Sequence, residues 1–243
     1  MNDFEKIENK CLGNREAFCE FLGCLYNKGM CDISVDYKDG MNFYFHRSSE
    51  AFGINDVFIC SDDPDYISGV LGSCGGLTTA VIIPSGNFDT KRYEDSWKVG
   101  VRRQFYKRRL SSEPVSDGGY IRLDRTHFSV ISESSSDTVK RNYAMSLDFD
   151  EACYAVIDGG LKCFLSTDRN KKTNMTEITW IYTEPEYRNK GYASDLLRKV
   201  SDCCVSEGVM MTYHCSLENV ASANTALKAG FTETVNEIIL ERK

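Results

Sequence analysis

A mixed α/β fold, with a sheet flanked by helices and an N-terminal α/β module ahead of it, is predicted by three stretches of this 243-residue chain. The run from Thr176 to Leu197 reads as a buried strand, a short turn and an amphipathic helix. Upstream, Cys153-Tyr-Ala-Val-Ile157 and Leu161-Lys-Cys-Phe-Leu165 flank Asp158-Gly-Gly160, a hairpin signal. Downstream, Asn219 is a good N-cap for an Ala- and Leu-rich helix, and Gly230 stands where a left-handed C-cap belongs.

From the N-terminus, residues 4 to about 27 are predicted helical, with Phe18, Phe21, Leu22 and Leu25 on one side. Residues 41–46 and 56–60 read as strands, 65–71 as a helix, and 78–83 as a buried strand ending at Pro84-Ser-Gly86. No internal repeat is evident in the sequence. Lys98, Arg102, Arg103, Lys107, Arg108 and Arg109 then crowd around Trp97, Phe105 and Tyr106. Interleaved basic and aromatic residues suit RNA or a phosphorylated ligand, but a solvated face of a strand or helix near a domain junction is the favoured reading. The turn-forming stretch 111–119 is the best linker and divides the chain into a module of unassigned role, 1–112, and a second domain, 113–243.

In the second domain the turn Arg188-x-x-Gly191-x-Ala193 directs backbone N–H groups and a helix start at one spot, where a pyrophosphate would fit. Gly191 allows the chain to approach an anion, and Ala193 keeps the wall thin. Along the helix, Ala193, Leu196, Leu197, Val200 and Cys204 recur at the spacing of one buried face, while Asp195, Arg198, Lys199 and Asp202 fall elsewhere. A mostly buried strand over 209–215 follows, then the Asn219 helix, then a strand from Phe231 through Leu240.

Composition narrows the class. The chain is 42% hydrophobic, enough for a sizeable core, and has no apolar run of the ~20 residues needed to span a membrane. Its polar, acidic N-terminus does not read as a signal or transit peptide. Eleven cysteines without zinc-ligand spacing predict reduced, mostly buried thiols in a cytoplasmic protein and no metal. A net charge of −7 disfavours bulk nucleic-acid binding. Acidic residues are dispersed except at 61–65 and 148–151.

From about Gly119 to Lys243 the chain resembles the GNAT superfamily of acyl-CoA-dependent N-acyltransferases. Arg188, Gly191 and Ala193 match that family's [Arg/Gln]-x-x-Gly-x-[Gly/Ala] loop, and Pro185-Glu-Tyr-Arg188 resembles the usual approach to it. Asn219, Ser222, Lys228, Gly230 and Phe231 match its N-x-x-S…K-x-G-F segment. The resemblance implies a mixed, mostly antiparallel sheet flanked by helices. Acetyl-CoA is then the co-substrate, held by Arg188, Asn189, Lys190, Gly191, Tyr192, Ala193 and Ser194, by the strand residues Ile181, Tyr182 and Thr183, and by Asn219 and Ser222. Thr183 replaces a more usual valine, which matters little because the backbone makes that contact. The N-terminal half vaguely resembles the module preceding the acyltransferase domain in larger bacterial relatives.

The resemblance also suggests catalytic roles. Glu177 lies six residues before Thr183, the register of the general-base glutamate in some members; an exposed or lysine-paired glutamate, with Lys171 and Lys172 close by, is the alternative. Many members protonate the departing thiolate with a tyrosine four residues before the glycine of the Gly-Phe pair. Here Ala226 stands there, so the role is either unfilled or moved to Tyr213 or Tyr192, and a core or rim tyrosine is the favoured reading of either. Cys215 reads as a structural thiol, with His214 on the opposite strand face. The acceptor-selecting segment is 126–143.

Three readings follow. The leading one is an N-acetyltransferase acting on a small-molecule or peptide amine. The second is a CoA-binding sensor or pseudoenzyme, favoured by Ala226. The third is an RNA- or nucleotide-associated modifier using the basic segment. Fold-level analogy points weakly to a homodimer.

Overall fold

The computed structural model of the protein describes residues 1–26, 31–84, 88–112, 119–148 and 152–243. In chain order, α1 (Asp3–Gly13), α2 (Cys19–Leu25), β1 (Asp32–Tyr37), β2 (Phe43–Ser49) and β3 (Ile54–Cys60) come first. They are followed by α3 (Pro64–Ser73), β4 (Thr79–Ile83) and β5 (Trp97–Lys107). Next are β6 (Ile121–Leu123), α4 (Phe128–Ser134), α5 (Asp137–Asp148), β7 (Ala152–Ile157), β8 (Leu161–Asn170) and β9 (Met175–Thr183). The chain closes with α6 (Tyr192–Ser206), β10 (Met210–Ser216), α7 (Val220–Lys228) and β11 (Thr232–Arg242). Most of the expected linker, with the boundary placed in it, and parts of the 84–86 and 148–151 segments lie outside the described residues.

The contacts divide the chain into two compact units. The first comprises Met1–Gln104, Cys215–Asn219 and Thr234–Lys243; the second comprises Phe105–His214 and Val220–Glu233. In the first unit the strand order is β1-β2-β3-β4-β11. The β1–β2 and β2–β3 pairs are antiparallel, β3–β4 is parallel, and β4–β11 is antiparallel from Ile82–Ile238 to Thr79–Glu241. In the second unit the order is β6-β7-β8-β9-β10, antiparallel throughout except for the parallel β9–β10 pair. The mixed, mostly antiparallel sheet is therefore observed. Each unit also runs helix, helix, three strands, helix, strand, with two antiparallel steps and then a parallel one. The internal repeat lives in the order of elements, where the sequence alone revealed none.

The N-terminal helix expected over 4–27 is two helices. Asn14 leaves helical torsions (φ −140°, ψ 65°) immediately after Gly13, and the chain turns before α2 begins. The predicted face survives the break, for Phe18, Phe21, Leu22 and Leu25 are all buried. Phe21 meets Phe45 and Phe58 edge-on, and those two rings stack 4.6 Å apart. Strand β1 was not expected from the sequence, although Asp32-Ile-Ser-Val-Asp-Tyr37 alternates polar and apolar residues; it is an edge strand with no buried residue.

The basic segment is strand β5 and the two residues after it, and the expected solvated face holds only for Lys98, Arg108 and Arg109, which are exposed. Arg102 pairs with Glu237 and Glu20, Gln104 reaches the other Glu237 oxygen, and Lys98 meets Glu241 at 2.7 Å. Lys107 is buried at the far end. Its Nζ donates to Asp202 Oδ1 at 2.7 Å, to Ser201 Oγ at 2.9 Å and to the Ala229 carbonyl at 2.7 Å. The α6 face is corrected for the same reason. Leu196, Leu197 and Val200 are buried as expected, but so are Lys199, Ser201 and Asp202, two of which hold Lys107. Burial lowers the pKa of the Lys107 ammonium, with Asp202 opposing that shift.

None of the eleven cysteines is in a disulfide; five are buried and Cys203 is exposed, so burial is less general than expected. Among the described residues no helix is long and apolar enough to cross a membrane.

Candidate functional site

In the second unit, β9 ends at Thr183, a single 3₁₀ turn over Pro185–Tyr187 follows, and the loop enters α6. Two residues of that loop have left-handed torsions: Asn189 (φ 61°) and Gly191 (φ 85°), the latter being the N-cap of α6. A Cβ built on Gly191 would meet no protein atom within 4 Å. The glycine therefore serves its torsion and the space in front of it, not a close protein neighbour. Ser194 Oγ donates to the Gly191 carbonyl at 3.0 Å and Asp195 N to the same oxygen at 3.0 Å, which locks the first turn. The N–H groups of residues 191–194 have no acceptor within the helix, as at any helix start. A left-handed glycine with open space at its Cβ position, at a helix start whose first N–H groups lack intrahelical acceptors, fits a pyrophosphate.

Three cations surround this loop. Arg188 folds back on β9, its Nε donating to the Thr183 carbonyl at 3.1 Å and its head lying 5.4 Å over the Tyr182 ring. Lys190 lies 5.5 Å over Tyr187. Lys162, at the start of β8, was missed from sequence; its ammonium sits 5.4 Å over Tyr192 and 5.5 Å over Tyr187 and pairs with Asp158 at 2.6 Å. The Asp158 hydrogen bond raises its pKa. Nothing in local spacing links residue 162 to residue 192; only the β8–β9 pairing brings it to the loop.

The strands open beside this loop. Among the described residues the parallel β9–β10 register runs only through Met175–Met210, Thr176–Met211 and Glu177–Thr212. Beyond Glu177, the stretch holding Ile181, Tyr182 and Thr183 is paired to β8 alone. A register shift helps to form the opening. Ile178 pairs with Thr167 and Trp180 with Ser166, so Thr179 is an extra residue. The shift also changes which side chains share a face. Glu177, Trp180 and Tyr182 oppose Asp168, Ser166 and Phe164, which alternate along β8, so all three lie on one face of the sheet. Without the bulge Glu177 would share a face with Ile181 and Thr183 instead. Trp180 and Tyr182 stack there at 5.3 Å, 2° from parallel, against a core that includes Phe164 and Tyr143.

Glu177 is half-buried, as expected, and the structure brings His214 to it. Its Oε1 lies 2.8 Å from His214 Nδ1. The parallel register explains the meeting. Thr212 is level with Glu177, and His214 is the next residue on the same face of β10. His214 was set aside in the sequence because only its relation to Cys215 was visible.

Tyr213 takes the opposite face of β10 and is 4% exposed. Its ring packs edge-on against Phe105 and Phe231, and its hydroxyl shares a hydrogen bond with Ser222 at the start of α7. Tyr213 and Ser222 are thus brought together, whereas Tyr213 and Glu177 are not. Tyr192 meets Tyr187 edge-on at 6.0 Å in the loop. Asn219 donates its N–H to the Ser216 carbonyl in the turn before α7, and Gly230 has the left-handed torsion expected (φ 85°). Ala226 is fully buried. The 126–143 segment forms α4 and α5, with Phe128 exposed on α4. Glu184, buried at the end of β9, accepts the Ser136 N–H at 2.9 Å and so ties the helix pair to the loop. Among the described residues no group of three or more His, Cys, Asp or Glu side chains is placed to hold a metal ion.

Comparison with known proteins agrees with this geometry. Residues 122–231 match the family model of the acetyltransferase (GNAT) family. Solved structures share the fold at low identity. A GCN5-related N-acetyltransferase-like protein from Streptococcus suis is 15% identical, with a TM-score of 0.58 over 99% of this chain and 98% of that one. A GCN5-related N-acetyltransferase from Kribbella flavida is 8% identical, with a TM-score of 0.62 over 93% and 95%. A GNAT-family acetyltransferase from Colwellia psychrerythraea is 11% identical, with a TM-score of 0.55 over 97% of each. No curated protein matches the sequence.

Proposed function

We propose that this chain, whose residues 122–231 are a GNAT acetyltransferase domain, moves an acetyl group from acetyl-CoA to the amine of a small molecule or peptide. One observation carries the reading: Gly191, left-handed and open in front, starts α6 directly beside the place where β9 parts from β10. Residues 188–194, with Lys162, would hold the pyrophosphate. The β9 backbone at Ile181, Tyr182 and Thr183 would meet the pantetheine arm. Acetyl-CoA supplies an activated thioester. The chain must orient it, exclude water and take a proton from the acceptor nitrogen. The Glu177–His214 pair supplies the base. Eleven cysteines outside any disulfide support a reducing compartment, and we place the protein in the cytoplasm.

The test is calorimetric titration with acetyl-CoA, followed by free-thiol release against primary amines. Micromolar binding with amine-dependent thiol release is the expected result; absence of binding would overturn the reading. The buried Ala226, where the family carries its acid, favours a second reading as a CoA-binding sensor. Binding without turnover would select it. Between the two stands Tyr213, whose hydroxyl is paired with Ser222. If it protonates the leaving thiolate, Tyr213→Phe should lower kcat about 100-fold or more with acetyl-CoA affinity unchanged. A loss of less than threefold would remove it from the mechanism.

A further inference from the structure

We propose that His214 Nε2 is the atom that takes the proton from the acceptor amine, and that Glu177 is the positioning residue that holds the imidazole; this rests on the acyltransferase reading above. An ionised carboxylate only accepts hydrogen bonds. With Glu177 Oε1 at 2.8 Å, the ring proton therefore belongs on Nδ1, which leaves the Nε2 lone pair directed away from Glu177. That arrangement makes a carboxylate-oriented imidazole into a base.

Placement supports the same division of roles. Glu177 is the last β9 residue in register with β10, so its backbone is fixed by the ladder. His214 lies two residues past Thr212, beyond the last β9–β10 pair, and on the same face of β10 as Thr212. The side chains are 33% and 36% exposed, so a proton arriving at the ring can leave to water. In the step, the neutral amine nitrogen bonds to the acetyl carbon and the carbon–sulfur bond breaks. Sulfur leaves as a thiolate, and the surplus nitrogen proton passes to Nε2 and then to solvent.

Two conservative variants separate the roles. His214→Asn keeps a donor toward Glu177 but has no basic nitrogen, whereas Glu177→Gln keeps an acceptor for Nδ1–H but has no charge. With tyramine, spermidine and an α-amino peptide as acceptors, His214→Asn should lose about 10²–10⁴-fold in kcat, and Glu177→Gln substantially less. Acetyl-CoA affinity should be unchanged in both. Added imidazole should partly restore His214→Ala. The reverse ranking, with Glu177→Gln nearly dead and His214→Asn active, would overturn the proposal and make Glu177 the base. A second measurement needs no acceptor. Nitrogen-15 NMR of the three histidines, assigned by substitution, should show His214 as the Nδ1–H tautomer and should show that preference weakened in Glu177→Ala. A predominant Nε2–H form would also overturn it. Absence of acetyl-CoA binding by the intact chain would sink the acyltransferase reading instead, and the tautomer would still decide whether the pair is built as described.

Discussion

Titration of the Gly191→Trp variant with acetyl-CoA should give no binding heat, where the intact chain takes up one equivalent. Two effects add. A non-glycine residue at φ 85° is strained by roughly 1–3 kcal/mol. The indole would also occupy the space in front of the α6 start, where Cβ alone meets no protein atom within 4 Å. Micromolar affinity corresponds to about 8 kcal/mol, most of which would be lost with the phosphate contacts. Gly191→Ala separates the two effects, since it brings the strain without the bulk; it should weaken binding and not abolish it. The expectation of a single equivalent comes from the first unit. Its corresponding strand-to-helix junction, β3 to α3, is closed by the chain itself. The Asp63 carboxylate accepts the N–H groups of Asp65 and Tyr66 at 2.9 and 3.3 Å, and Pro64 has no N–H to offer. A carboxylate already at the helix start repels a second anion. Two equivalents bound, or half the heat surviving in Gly191→Trp, would count against both the site and this comparison.

What the sequence disclosed of the site was its local part. The glycine, the helix behind it and the Asn219–Gly230 helix depend on neighbours a few residues apart, so spacing and caps reveal them. Features that need strand register stayed hidden. The Glu177–His214 contact joins residues on parallel strands, and no residue pattern encodes which position is level with which. The Thr179 shift is likewise invisible, although it decides which face Glu177 shares with Trp180 and Tyr182. Lys162 reaches Tyr192 only through the sheet. The repeat between the units belongs to the same class, because element order persisted while the loop chemistry changed from Arg188-x-x-Gly191 to Asp62-Asp-Pro64. The helix break at Asn14 was legible in principle: Gly13-Asn14 is a stop signal, overridden by the apolar periodicity that continues through Leu25.

The largest stability effect should come from Lys107. Its ammonium is 1% exposed and shares its three N–H groups among four acceptors: Asp202, Ser111 Oγ, Ser201 Oγ and the Ala229 carbonyl. Those contacts join the end of β5 to α6 and to the residue before the Gly230 cap. Lys107→Met keeps the aliphatic stem but leaves the Asp202 carboxylate buried without its counter-charge, although Asp202 still accepts the Ser111 N–H at 3.0 Å. Breaking one side of a buried pair costs about 3–5 kcal/mol. Urea unfolding should therefore show a markedly lower midpoint. The double variant Lys107→Met/Asp202→Leu should recover much of that loss, because the pair replaces solvation and its net contribution against apolar side chains is small. If the double variant falls as far as the sum of the single ones, the two groups act independently and the ion pair is not what joins these elements. Acetyl-CoA binding by the folded double variant should persist, since neither side chain belongs to the loop at Gly191.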